Sequence, residues 1–398
     1  AKGWAPGKVG EINGKKRQLV GPAFNEKVLE APTTGIAKFD YAANFEDFLA
    51  QRPIDQPFCF WYGSLEPHRA YEYGTGVRLG GKKPEDIDDL FGFFPDLDTV
   101  RNDVLDYAYE LEYFDQHLGK MLAALEAMGE LENTLVIVTA DNGMPFPRVK
   151  GQAYERSNHL PLAMMWGKGI KDPGRVIEEF VSFADFSPSL LDLAHIDPQT
   201  AGMQPFEGHS LREILENRRS VPRREHILIG KERHDVGRPR DLGYPIRGIV
   251  NHDFTFLVNY KAERWPSGNP ETGYLNCDGG ATKTAILHQR RFQQDSTYWK
   301  LAFGKRSGIE LYDRKKDPDC LSNLAWDSTY TSIRQSLFQQ LIAELRAQED
   351  PRIVGWADIF DHYPYANEGN RNFYKRFQAG ELGPEATGWV NPDDYEQD

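Results

Sequence analysis

Asp141-Asn142-Gly143 sets a carboxylate beside a carboxamide, two hard oxygen donors of the kind that calcium or magnesium takes. Alone, the triplet is also an ordinary turn, because Asp, Asn and Gly all suit tight reversals. Its company in the chain adds chemistry. Glu66-Pro67-His68-Arg69 brings an imidazole and a guanidinium directly after an apolar run, and Phe146-Pro147-Arg148-Val149-Lys150 follows the triplet with two cations. A histidine held near cations and a metal can supply a proton at moderate pH. The formal net charge of −13 argues against nucleic acid as a partner, since phosphate contacts need clustered Lys and Arg. An acidic chain can still hold a small anion through a few local cations at strand ends.

The elements around these residues read as an alternation. The aromatic-rich run over 57–65 is short enough for a buried strand, and Pro67 ends regular pairing just before His68. Cys59 sits inside that run, where a core thiol is expected. Over 99–128 the residues Val100, Val104, Tyr107, Leu111, Phe114, Leu118, Met121 and Leu125 recur three and four apart, which predicts a long amphipathic helix closed by Gly129. The β-branched run over 135–138 then ends at Asp141. A further apolar run over 160–166 and a helix over 187–194 continue the pattern. The expected fold is α/β, with a mainly parallel sheet sandwiched by helices, whose ligands gather at the C-terminal strand ends.

After about residue 220, short strands over 226–230, 246–250, 254–260 and 309–312 precede a helix over 333–346, predicting a small antiparallel sheet with one helix. The expected organisation is a main domain over 1–222, an antiparallel-sheet subdomain over 223–349 and a wrapping tail over 350–398. At 398 residues and 40% apolar content the chain can bury a large core and a smaller second one. No apolar run approaches the roughly 18 residues that span a bilayer. Cys59, Cys277 and Cys320 are too few and too scattered for a disulfide framework or a Cys-based zinc site.

Five segments in order resemble a known family. They are Pro57-Phe58-Cys59-Phe60-Trp61-Tyr62 into Glu66-Pro67-His68-Arg69; Gly129-Glu130-Leu131-Glu132-Asn133-Thr134-Leu135 into Thr139-Ala140-Asp141-Asn142-Gly143; the continuation Met144-Pro145-Phe146-Pro147; the stretch over 181–194; and Glu310-Leu311-Tyr312-Asp313 with Asp317-Pro318 and Asn323-Leu324-Ala325. The family is the type I sulfatases of the alkaline-phosphatase superfamily, and the likeness is nearest to its heparan N-sulfatase (sulfamidase) branch. The resemblance implies that Asp141 and Asn142 bind one calcium ion and that His68 binds sulfate. It implies that Lys2 matches a sulfate-contacting lysine, with Trp4 where the family usually has a histidine. Lys150 falls where the family places a second cationic sulfate ligand, and Arg148 is close enough to compete. Arg233 and His234, at the start of the small sheet, are expected to contact a sulfated saccharide, most simply N-sulfoglucosamine or an O-sulfated glucosamine of heparan sulfate. A sulfate ester or sulfamate builds negative charge on its leaving atom, which metal, lysines and histidine would answer.

The family's nucleophile is a formylglycine made within a Cys/Ser-x-Pro/Ala-x-Arg motif near its N-terminus. No cysteine here fits, and Ser220-Val221-Pro222-Arg223-Arg224 lies after Asp141-Asn142, which is a linker position rather than the family's. The expectation is therefore that the nucleophile and two further calcium-binding aspartates belong to a missing N-terminal segment, possibly a separate chain, without which this one is inactive. By resemblance the protein would be periplasmic or secreted, or lysosomal in a eukaryote. Competing readings are a phosphodiesterase or phosphonate hydrolase of the same superfamily, and a non-catalytic sugar-binding remnant.

Overall fold

The computed structural model describes residues 9–12, 15–18, 21–200, 202–218 and 224–396. Strands β1 (Val9–Ile12) and β2 (Lys15–Gln18) pair antiparallel. Helix α1 (Tyr41–Gln51) starts where the Asp40 side chain accepts the backbone N–H of Ala43 at 3.0 Å, satisfying one of the first turn's free donors. Its buried face, Ala42, Phe45 and Leu49, packs on Met121 and Leu125 of the long helix α2 (Asp98–Ala127). The predicted helix over 99–128 is thus present, and Gly129, at φ +71°, follows it in a left-handed conformation that glycine adopts without strain.

The run over 57–65 is extended, but it has no hydrogen-bonded strand neighbour among the described residues. Its side chains alternate. Phe58, Phe60 and Tyr62 join the α1–α2 cluster while Cys59 and Trp61 face outward, so the expected core thiol is instead exposed. Period two, not total hydrophobicity, decides which side chains are inside.

The buried face of α2 is more polar than its apolar stripe suggests, since it includes Asp103, Asp106 and Glu110. Asp106 accepts the backbone N–H groups of Gly74 and Gly76, each at 2.8 Å. Glu110 is different: one of its carboxyl oxygens is buried with no hydrogen-bond partner. Burial first, and the nearby Glu66 second, push its pKa up to about 8 against the opposing pull of Arg69. A carboxyl raised this way favours the fold when protonated, so its ionisation costs stability as pH climbs from the ordinary carboxyl range through about 8. Glu110→Gln is therefore expected to raise the denaturation midpoint at pH 9 and to change it little at pH 4. Urea melts at the two pH values check this, and an equal effect at both would contradict it.

Strand β3 (Val136–Thr139) pairs antiparallel with β4 (Leu162–Met165). Among the described residues every strand pair is antiparallel, this pair of the region expected to be mainly parallel included. The physical reason is the connection. A parallel return needs a crossover, usually a helix, and between β3 and β4 the chain forms only the single turn Glu155–Asn158. Helix α3 (Phe186–Leu193) follows a capping box in which Ser182 and Asp185 exchange hydrogen bonds, and Arg224 clamps Asp185 with two contacts of 2.6 and 2.8 Å.

The second half holds the expected antiparallel sheet, in the order β5 (His226–Lys231), β6 (Ile246–Asn251), β7 (Phe254–Asn259) and β8 (Ile309–Asp313). Between β7 and β8 runs helix α4 (Ala281–Gln293), and helix α5 (Thr331–Ala347) follows β8. One face of the sheet, Ile249, Phe256 and Leu311, packs on Leu337, Leu341 and Leu345 of α5. The other face, Ile246, Leu257 and Tyr312, packs on Ala153 and Tyr154. The segment following Asp141-Asn142 is therefore held by the C-terminal sheet. Beyond α5 the chain returns over this half through Arg352 on Glu232, Tyr365 on Asp235 and Glu396 on Arg290 and Arg291.

Candidate functional site

His68 is presented by a short segment whose backbone is pinned on both sides. Glu66 is buried and accepts from the Ala37 N–H at 2.7 Å, the Tyr41 hydroxyl at 2.8 Å and the Ser64 hydroxyl at 2.6 Å. Arg69 forms a two-pronged ion pair with Asp103 at 2.8 and 2.7 Å, and its Nε donates to the carbonyl of Pro145 at 2.8 Å. Asp103 also accepts the backbone N–H and the hydroxyl of Thr282, at 2.9 and 2.6 Å, tying in the start of α4. One buried ion pair thus joins the His68 segment, the loop leading to Lys150, and α4.

The tautomer of His68 follows from its partners. Nδ1 lies 2.6 Å from the Arg69 carbonyl, which can only accept, so Nδ1 carries hydrogen. Neutral His68 then presents a lone pair at Nε2, and that atom faces Lys150 Nζ at 3.4 Å. Lys150 Nζ is itself 2.6 Å from Asp278, both side chains being about nine-tenths buried. The structure therefore brings two of the expected residues, His68 and Lys150, together and adds a carboxylate that the sequence did not single out. A cavity of about 280 Å³ opens beside His68 and Arg69, walled on its other side by Thr34, Gly35, Ile36 and Ala37. Gly35 is needed there, because a Cβ would fall 2.5 Å from the Ala70 carbonyl oxygen.

Arg148 and Lys150 part company. Arg148 is buried, its guanidinium donating to the carbonyls of Leu301 and Cys320 and lying 4.0 Å over the Tyr154 ring. It bolts the loop to the C-terminal half, its guanidinium engaged by protein carbonyls and the Tyr154 ring. Arg233 donates through one guanidinium nitrogen to the carbonyls of Phe360 and Tyr363, which ties the tail to it. His234 does reach the site. It is exposed on one side, and its ring lies so close to Gly151 that a Cβ there would fall 2.8 Å from it. The protein mass around it first, and the ammonium groups of Lys231 and Lys150 next, lower its pKa to about 4, leaving it neutral at physiological pH. Lys231 donates to the Gly151 carbonyl.

Asp141 and Asn142 are exposed at the end of β3. The Asn142 amide nitrogen donates to the Gly143 carbonyl at 2.8 Å, which leaves its oxygen as the atom that could meet a cation. Carboxylate plus carboxamide oxygen suits calcium in kind, but calcium takes about six to eight oxygens, and this pair supplies a part of that set. Among the described residues no group of three His, Cys, Asp or Glu side chains could hold a metal. Lys2, Trp4 and Ser220 lie outside the described residues.

Comparison with known proteins gives this geometry a setting. Residues 17–196 match the sulfatase family model. Human N-sulphoglucosamine sulphohydrolase is 27% identical over 327 residues, covering 76% of this chain and 63% of that protein. Human N-acetylglucosamine-6-sulfatase is 26% identical over 333 residues, covering 79% of this chain and 55% of that protein. A solved protein in complex with its substrate D-glucosamine-2-N,6-O-disulfate superposes with a TM-score of 0.52 at 18% identity, over 78% of this chain and 69% of that one. At that identity the likeness speaks for the fold alone, which is α/β and alkaline-phosphatase-like. The chain spans less than two thirds of the length of the two human relatives.

Proposed function

From the premise that residues 17–196 of this chain form a domain of the sulfatase family, we propose that the protein hydrolyses the sulfate ester or sulfamate of a sulfated glucosamine in a glycosaminoglycan such as heparan sulfate. The observation that carries the reading is Lys150, whose ammonium lies 3.4 Å from His68 Nε2 and 2.6 Å from Asp278, with His68 itself lining an open cavity. Two relatives that act, by name, on N-sulfoglucosamine and on 6-sulfated N-acetylglucosamine support the sugar class.

In this reading Lys150 holds the singly charged head of the substrate, and His68, once its ring has taken up a second proton at Nε2, passes that proton to the leaving atom. The Nδ1–H bond to the Arg69 carbonyl keeps the ring oriented for that delivery. Asp141 and Asn142 would hold part of a calcium shell, and the ion would add positive charge against the sulfate oxygens. The formylglycine nucleophile has no source in the three cysteines: Cys59 faces outward beyond any matching motif, while Cys277 and Cys320 are buried with thiol pKa values pushed up to about 12. The reading therefore takes the nucleophile from a segment other than these residues, in the same or a separate chain. No helix among the described residues is long and apolar enough to cross a membrane, and a periplasmic, secreted or lysosomal place is part of the proposal.

The test offers N-sulfated and 6-O-sulfated glucosamine to the complete protein with calcium and measures released sulfate. Release from at least one is expected. No release from either defeats the assignment.

A further inference from the structure

Asp278 is the feature of this site that anion binding alone does not explain. A carboxylate in contact with Lys150 Nζ partly cancels the charge meant for the substrate's head, and it repels that head as well. Such a group suits an anion site when the ligand brings a hydrogen for it to accept. Asp278 is placed to do so. It immediately precedes Gly279-Gly280 at the head of α4, and α4 is anchored through Thr282 to the same Asp103 that holds Arg69 beside His68. One carboxylate oxygen contacts Lys150, and the other has no hydrogen-bond partner among the described residues.

The two linkages a sulfatase meets differ at one atom. In a sulfate ester the atom joining carbon to sulfur is an oxygen without hydrogen, whose lone pairs would face a nearby carboxylate unfavourably. In a sulfamate it is a nitrogen bearing one hydrogen, a single bond away from the sulfonyl group. With the sulfonyl oxygens on Lys150, the linking atom lies beside an ammonium that both His68 Nε2, at 3.4 Å, and Asp278, at 2.6 Å, approach.

We infer that Asp278 is a specificity-determining residue of this site, accepting the N–H of a sulfamate whose sulfonyl oxygens are held by Lys150 and thereby favouring N-sulfated over O-sulfated substrates. The inference rests on the sulfated-sugar reading, and it goes further by naming the linkage and the residue that selects it. His234, neutral and packed on Gly151, adds no charge nearby that would compete for the N–H.

The experiment uses a pair of probes that differ only at the linking atom, cyclohexylsulfamate and cyclohexyl sulfate. Their binding to the full chain with calcium present is measured by isothermal titration calorimetry, for the wild type, Asp278→Ala and Asp278→Asn. A hydrogen bond to a charged acceptor predicts that the wild type binds the sulfamate about tenfold or more tightly than the ester. In Asp278→Ala the preference is expected to collapse to within about twofold. Asp278→Asn, which keeps an uncharged acceptor oxygen, should lie between. Inorganic sulfate, which has no N–H to donate, should bind Asp278→Ala at least as tightly as wild type, because Lys150 is then uncancelled; this also shows that the variant's site is folded. Equal binding of the two probes by the wild type, or a preference that survives Asp278→Ala, overturns the role given to Asp278 alone. Failure of the wild type to bind either probe overturns this inference together with the sulfated-sugar reading beneath it. A loss of sulfate binding in both variants would show Asp278 to be a brace for Lys150 and would also overturn it.

Discussion

Asp103→Ala is expected to destabilise the protein by about 3–5 kcal/mol, because it leaves the Arg69 guanidinium buried without its counter-charge. Arg69 and Asp103 are 6% and 4% exposed at their side chains, so water cannot readily replace either partner. The loss reaches beyond the pair. Asp103 also accepts twice from Thr282, and those two donors would be stranded with it. Guanidinium chloride unfolding of the wild type and the variant measures the difference. A double variant, Asp103→Leu with Arg69→Met, is expected to lose less than Asp103→Ala alone, since it removes both charges together. A single-variant loss below about 1 kcal/mol would mean that the guanidinium finds other partners, and the account of a buried clamp would fail.

That clamp also marks the limit of what the sequence could disclose. The helix carrying Asp103 was legible from its apolar repeat, and its observed ends differ from the predicted ones by a single residue at each. The same repeat hid the acidic residues on the helix. Periodicity registers apolar side chains and is silent on Asp103, Asp106 and Glu110, and the partners of the first two, Arg69, Gly74 and Gly76, lie thirty or more residues away. The run over 57–65 failed in the opposite sense. Its hydrophobicity suggested a strand, and what the chain forms is an extended segment with one face packed and the other, including Trp61, exposed. Strand identity depends on a hydrogen-bonding neighbour, and no local pattern specifies that neighbour.

At the site the sequence yielded residue types but not their allegiances. Lys150 fell where the resemblance places a cationic sulfate ligand, and Arg148, two positions away, competed for that place. The structure separates them because Arg148, at φ +66°, turns into the core on Tyr154, whereas Lys150 emerges next to His68. Asp278 was missed because it lies 128 residues beyond Lys150 in a segment with no periodic signal. The adjacent Gly279-Gly280 before a helix was the available hint, since such a pair lets backbone approach closely. Gly279 in fact lies where a Cβ would fall 2.7 Å from the backbone of Asn391. In the stretch from Lys231 to Arg240, Arg233 donates to tail carbonyls and Arg238 to those of Trp265 and Pro266. Clustered charge in a sequence locates demand for partners without saying whether protein or ligand meets it.

His68→Ala is expected to lower turnover by about 10²–10⁴-fold in the complete protein, the range for removing a positioned general acid. The geometry makes the role specific to one atom. With Nδ1–H held by the Arg69 carbonyl, Nε2 is the only ring nitrogen free to pass a proton, and it already lies beside the cation that would hold the sulfonyl group. Calcium affinity, measured by titration calorimetry, should change little, because the proposed ligands Asp141 and Asn142 make no hydrogen bond with His68 among the described residues. The leaving group supplies the sharper readout. Substrates whose leaving group needs no proton, such as an aryl sulfate with a strongly acidic phenol, should lose far less rate than an alkyl or sugar sulfate in the same variant, because proton transfer matters less the more stable the departing anion. Uniform losses across leaving groups would instead assign His68 to sulfate binding, and the proton would then have to come from Lys150, the next donor in the cluster.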